Sequence, residues 1–307
     1  VRRAPVIAVA VGLAVALAGC GVGAGKQPGG TKLTITRDFG AGMVRDLDAP
    51  KVGGDETVMR LLQRNAKVST RYSGGFVQSI DGLSAERSSG RSLDWFYYVN
   101  GVEAARGAAS TSLRSGDRIW WDRHDWGGAM RVPAVVGSFP EPFLHGIDGK
   151  RLPVRVECAT PGSDPCKAVS NRLASYEVPV AMGGLMTAHL EETLRVLVGP
   201  WQVLRTDHAI DELERGPKAS GVYARITDDG RTIAALDARG RVARRLGAGT
   251  GLVAATAMGD ARPTWVVTGT DEAGVASAVR AFEEGTLAHR FAVAVSNDLP
   301  VPLPVAG

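Results

Sequence analysis

The spacing of apolar and polar positions changes several times along the chain, and each change marks an element. In TKLTITRD, residues 31–38, Leu33 and Ile35 alternate with polar neighbours at the two-residue period of a strand. GGDETVMRLLQRN, residues 53–65, switches to helical spacing: Val58, Leu61 and Leu62 share one face, Asp55 is placed to cap the start and Asn65 to stop the run. GGFVQSI reads as a further strand, bounded by glycines and by Asp81-Gly82. DWFYYVNGVEA and SGDRIWWDRHDW read as two aromatic strands around a turn-rich middle, the first ending in the hairpin pair Asn100-Gly101. The order strand, helix, several strands predicts an α+β unit over residues 31–126, with one helix over one face of a curved sheet.

The aromatic strands carry more apolar surface than that plan uses. Side chains alternate along a strand, so Trp95, Tyr97 and Val99 lie on one face and Phe96 and Tyr98 on the other. On the last strand Ile119 and Trp121 share a face, and Trp120 and Asp122 share the opposite one. A single helix covers one face, and the surplus face requires a cover of its own: a second domain, a partner or a ligand.

Residues 127–143 are rich in Gly and Pro and read as a linker or an extended edge segment. Residues 144–299 alternate strand-like and helix-like runs. LPVRVEC and LRVLVGPW are strands; DPCKAVSNRLASY is helical, with Val169, Leu173 and Tyr176 in register. TDHAIDELERG is a helix capped by Thr206 or Asp207 and stopped by Gly216, and a hairpin turns at Asp229-Gly230. PTWVVTGTD, DEAGVASAVRAFEEG and RFAVAVSND form a strand–helix–strand unit, with Val275, Ala278, Val279 and Phe282 on one helix face. This pattern predicts an α/β domain with a partly parallel sheet. The Pro-rich tail, residues 300–307, is expected to be extended, packed over an edge or hanging free.

The N-terminus sets the compartment. Two arginines precede the apolar run VIAVAVGLAVALA, shorter than a membrane span, and LAGC closes it at Cys20. The run is a secretory signal over residues 1–19, and LAGC resembles a bacterial lipobox, which implies cleavage before Cys20 and its lipidation. Residues 20–30 then form a flexible tether, and the rest lies outside the cytoplasm on a lipid anchor in the cell membrane. In that oxidising setting Cys158 and Cys166, flanking a short loop, are expected to form a disulfide rather than a metal site.

ETVMRLLQRN, GGFVQSIDGL, DWFYYVNGVEAARGAAS and LRSGDRIWWDRHDW together resemble a family of extracellular bacterial modules similar to the C-terminal β domain of transcobalamin and intrinsic factor. In that family an aromatic strand ends in Asn-Gly, a small-residue segment follows, and a Gly-Asp turn leads into a last aromatic strand. The resemblance covers residues 31–126. It implies a β-grasp-like fold and, in the transport proteins, closure over one side of cobalamin. Those proteins also carry a large all-helical barrel, and this chain has no such run of helical hairpins.

Chemistry-bearing motifs are sparse. GAGTGLVAA, residues 247–255, lacks the Gly-Lys-Ser/Thr ending of a phosphate loop and reads as a tight turn capping a helix. Thr268, Thr270 and Asp271 stand where a strand meets a helix, the place of an N-cap and also of ligands in open α/β sheets. His124, and His189 near Glu191 and Glu192, lack metal-site spacing and read as solvated. No nucleophile elbow is present, so enzyme activity is not expected; hydrolysis in the α/β domain is the residual alternative. The net charge of +4 is spread over 307 residues without basic–aromatic runs, which argues against nucleic acid as a partner.

The expected function is non-catalytic capture of a small ligand at the cell surface, a corrinoid such as cobalamin or another planar amphipathic molecule, for hand-over to a membrane transporter. No cofactor is expected beyond such a bound ligand. The expected contacts are Trp95, Tyr97, Tyr98, Asn100, Trp120, Trp121 and Asp122. The alternative is an envelope adhesion or scaffold protein that docks a protein or polysaccharide on its aromatic face.

Overall fold

The computed structural model describes residue 1 and residues 30–306 apart from 49, 52, 73–74, 89 and 187–191. The expected signal segment, Cys20 and most of the tether lie outside the described residues, as does His189.

The first unit begins with the hairpin β1 (Lys32–Arg37) and β2 (Gly42–Leu47), followed by helix α1 (Val58–Asn65). A small antiparallel sheet follows, formed by β3 (Val68–Arg71), β4 (Phe76–Ile80) and β5 (Leu83–Ser84). Strands β6 (Glu86–Ser88), β7 (Arg91–Val99), β8 (Val102–Glu103) and β9 (Arg118–Asp125) return to the main sheet. Its order is β2-β1-β9-β7-β6, with β8 on β7; β1 and β9 run parallel at its centre and the other pairs are antiparallel. Helix α1 is capped by Thr57, whose hydroxyl accepts from the Arg60 N–H at 3.3 Å, and not by Asp55. Asp55 sits at φ 47° in the turn before the helix, too far back to reach the first free N–H groups. Asn100 and Gly101, at φ 53° and 76°, form the predicted tight turn between β7 and β8.

The second unit contains β10 (Val154–Cys158), α2 (Asp164–Ala174), β11 (Val180–Gly184), β12 (Leu194–Pro200), α3 (Trp201–Leu204), α4 (His208–Glu214) and α5 (Pro217–Ser220). A meander of β13 (Ala224–Ile226), β14 (Ile233–Leu236) and β15 (Val242–Leu246) follows, then β16 (Gly251–Thr256), β17 (Thr264–Gly269), α6 (Glu272–Ala281), α7 (Glu284–Leu287), β18 (Ala292–Ser296) and β19 (Leu299–Leu303). The large sheet has the order β11-β10-β12-β17-β16-β18-β19. Its first four strands are parallel, and β16 runs antiparallel to both β17 and β18. Strands β17 and β18 therefore share a direction across α6, as the strand–helix–strand pattern predicts, with an antiparallel strand inserted between them. Cys158 and Cys166 are disulfide-bonded and tie the end of β10 to α2. The molecule is thus mixed α/β, richer in strand than in helix, with partly parallel sheets.

Two segments between and beyond the regular elements are packed into the molecule. Residues 127–143 link the units as a packed strap. Val132, Val135, Val136, Phe139 and Phe143 in it are buried, and its backbone bonds to the first unit through Gly101 and Glu103 and to the second through Phe291. The tail is extended and packs on an edge: Leu299–Leu303 is the edge strand of the large sheet. Its prolines suit an edge, because they have no N–H to leave unpaired.

Candidate functional site

The aromatic strands β7 and β9 are packed on both faces. On one side Trp95, Tyr97 and Trp121 join Leu33, Ile35 and Ile119 beneath Val58, Leu61 and Leu62 of α1. The Tyr97 and Trp121 rings stack at 4.8 Å. Trp95 Nε1 donates to the Leu83 carbonyl at 3.1 Å, and the Tyr97 hydroxyl donates to the Arg106 carbonyl and lies 2.9 Å from Thr111 Oγ1. On the other side Phe291 of the second unit enters a box of rings from the first: Phe39 at 5.1 Å, Trp120 at 5.2 Å, His124 at 5.3 Å and Tyr98 at 5.6 Å. Of the three covers that the sequence leaves open for the surplus face, the second domain is the one seen here.

The seven residues expected to contact ligand are therefore divided between two packed faces and a turn, and none is more than 9% exposed. Asn100 bridges the turn, its Nδ2 donating to Asp117 Oδ1 at 3.0 Å and to the Gly146 carbonyl at 2.9 Å while its Oδ1 accepts from the Arg118 N–H at 2.9 Å. Asp122 accepts from the Thr36 hydroxyl at 2.5 Å and from the Phe39 and Gly40 N–H groups at 3.1 and 2.9 Å. His124 corrects the expectation of a solvated histidine. It is 1% exposed, stacked between Phe39 and Phe96 at 4.4 Å from each, with Nδ1 2.8 Å from Asp122 Oδ1.

Beside this box the two units leave a cleft of about 960 Å³. The turn Asp38–Ala41, with Arg91 and Asp125, forms one side; the β14–β15 turn, His289-Arg290 and the tail strand form the other. Pro300, Val301, Pro302, Pro304 and Val305 give it an apolar wall. The carboxylates in it are engaged. Asp38 lies 2.5 Å from Arg37 and 3.7 Å from Arg91. Asp125 accepts from the Ser92 and Gly127 N–H groups at 3.1 and 3.0 Å. Asp237 accepts from the backbone of Arg239 and Arg241 at 2.9 Å each and from the Arg241 guanidinium at 2.7 Å. Burial would raise the Asp237 carboxyl, but the Arg241 guanidinium and the two backbone donors together hold it below the usual range. Burial pushes the half-buried Arg290 guanidinium down, and also the His289 imidazole, the latter against the pull of Asp46 at 3.6 Å.

A smaller hollow of about 340 Å³, lined in part by Arg131 and Pro133 of the strap, also contains arginines, each facing a carboxylate: Arg106 with Asp148, Arg131 with Glu103, Arg262 with Glu192. The large cleft is not legible in the sequence because its lining comes from six separated segments. Its one linear signal is the basic run Arg239, Arg241, Arg244 and Arg245, the first two in the turn before β15 and the last two within it, where residues Val242–Arg245 are all exposed.

The remaining candidates have structural partners. The turn in GAGTGLVAA leads into strand β16, not into a helix, and Asp271 accepts from the Gly249 N–H at 2.9 Å while capping α6 through the Gly274 N–H at 2.8 Å. The Thr268 hydroxyl donates to the Gly199 carbonyl at 2.8 Å, and Thr270 Oγ1 accepts from the Thr250 N–H at 3.2 Å. Among the described residues no three His, Cys, Asp or Glu side chains are grouped to hold a metal ion.

The chain matches no curated protein and no solved structure. Residues 55–125, from the turn before α1 to the end of β9, match the model of a family described as a domain of unknown function, DUF4430.

Proposed function

We propose that the protein is a non-catalytic capture protein of the cell exterior, held to the membrane through a lipidated Cys20, that binds a small molecule in the cleft between its two units. The observation that carries this reading is the cleft itself. At about 960 Å³ it falls at the upper end of ligand pockets, which run from roughly 300 to 1,000 Å³, and it joins an apolar wall to a few polar groups. The first unit is read as a transcobalamin-C-terminal-like module with a β-grasp-like fold. Support for that comes from the β1–β2 hairpin, the single covering helix and the central parallel pair β1–β9. On this reading a corrinoid or another planar amphipathic molecule is captured and passed to a membrane transporter. The aromatic residues act indirectly, holding the Phe39 turn at the cleft's rim. Docking through the aromatic strands, the competing expectation, requires an uncovered aromatic face, and both faces are packed.

The test is calorimetric titration of the chain from Gly21 onward with cobalamin, beside the variant Ala41→Trp, which places an indole at the exposed rim of the cleft. Saturable one-to-one binding in the native chain, lost in Ala41→Trp, is expected. No heat up to high micromolar cobalamin removes the corrinoid, and binding unchanged in Ala41→Trp removes the cleft.

A further inference from the structure

The cleft also carries a charge pattern that bears on what it holds. Asp38, Asp125 and Asp237 are already neutralised or saturated by Arg37, Arg91, Arg241 and backbone N–H groups. That leaves three cations lining the cleft, Arg239, Arg244 and Arg290, with no carboxylate within ion-pair distance among the described residues. Arg290 is the most telling. Its guanidinium is half-buried, its partner is the Thr286 carbonyl, and no acid offsets the lost hydration. Uncompensated arginine is not a general habit of the junction between the units, because each arginine in the smaller hollow faces a carboxylate.

The wall formed by the tail strand limits the ligand's shape. In β19 the residues between those bonded to β18 are Pro300 and Pro302, and Pro304 follows. N–H groups alternate in direction along an antiparallel strand, so the positions that would donate outward are prolines. This edge offers apolar surface and no donor ladder, which suits a compact apolar body and does not suit a peptide added as a strand.

Building on the capture reading above, we infer that the cleft selects an amphipathic anion: a small molecule with an apolar body against the Pro300–Val305 wall and a phosphate or carboxylate group against Arg239, Arg244 and Arg290. Guanidinium groups suit this role because their planar donors pair with oxyanions in fork geometry.

The experiment uses two fluorescent probes on the chain from Gly21 onward: anilinonaphthalene sulfonate, an apolar body with an oxyanion, and N-phenylnaphthylamine, a neutral counterpart. The expected result is saturable one-to-one binding of the sulfonate, about tenfold or more tighter than the neutral probe and weakening as salt is added. Affinity for the sulfonate should fall about tenfold in Arg290→Gln and in the double variant Arg239→Gln/Arg244→Gln, with the neutral probe unaffected. The double variant changes exposed side chains, so an unchanged unfolding midpoint certifies its fold. Equal affinity for both probes, lost in Ala41→Trp, would overturn anion selection and leave cleft capture standing. No saturable binding of either probe would remove both readings. Sulfonate binding indifferent to the arginine variants and to Ala41→Trp would place the anion elsewhere and overturn the inference.

Discussion

Asp122 shows how much one buried side chain organises. It is fully buried, and besides the Thr36 hydroxyl and two N–H groups of the β1–β2 turn it holds His124; Thr36 Oγ1 in turn accepts from Trp120 Nε1 at 2.7 Å. Asp122→Ala strands these donors without water or partner and is expected to cost about 3–5 kcal/mol, read from urea unfolding followed by tryptophan fluorescence. A loss below about 1 kcal/mol would mean that the donors find other acceptors. Glu103 supplies a pH-dependent counterpart. Burial raises its carboxyl above the usual range, against the Arg131 guanidinium that lowers it. A carboxyl with the higher value in the folded chain binds more protons there, so its contribution to stability is present in acid and is lost as pH rises through the raised value. Glu103→Gln should therefore gain stability relative to the native chain as pH rises above the ordinary carboxylate value of about 4; a constant difference in unfolding midpoint would refute this. Alternation alone sorted Trp95, Tyr97 and Trp121 from Tyr98, Trp120 and Asp122 in the sequence, and the structure keeps that sorting. The helix over the first face was legible, but what covers the second was not, because Phe39 and Phe291, which close the box around His124, lie in distant segments with no periodic tie to it.

Helix α6 illustrates how elements meet. A Cβ on Gly274 would stand 2.3 Å from the Thr250 carbonyl oxygen, and one on Gly269 would stand 2.3 Å from the Gly274 carbonyl carbon. The helix rests backbone against backbone on β16 and β17, which only glycine permits. Alanine is the better helix former by up to about 1 kcal/mol. Forcing the backbones apart costs about 1–3 kcal/mol or more, so Gly274→Ala should lower the thermal midpoint, and a raised midpoint would show that α6 can shift at no cost. Periodicity made α6, its two flanking strands and the Asp229-Gly230 hairpin legible, since each is encoded in a continuous run. It did not reveal that β16 lies between β17 and β18, because pairing partners leave no trace in a strand's own pattern. The strap at 127–143 escaped for a related reason: it buries Val135, Phe139 and Phe143 without a regular period, and its Gly and Pro content looks like a spacer.

At the scale of the molecule the question is whether the cleft is a fixed pocket or a hinge. One apolar cluster includes Phe39, Tyr98 and Trp120 of the first unit together with Trp201, Tyr223, Leu252 and Phe291 of the second. Phe291 is its central contact, since its ring meets four rings of the first unit. Separating the units would expose that box along with the buried Asp122 and His124, a large cost for a protein whose total stability is on the order of 10 kcal/mol. The two units should therefore unfold as one cooperative body, with the cleft preformed rather than closed by ligand. Phe291→Ala, expected to cost about 3–5 kcal/mol, tests this through amide hydrogen exchange in β7 of the first unit and β12 of the second. Equal loss of protection in both strands is the signature of a single body and a rigid cleft. Loss confined to β7 would mean that the second unit stands alone, and that the cleft opens and closes as the first unit moves on it.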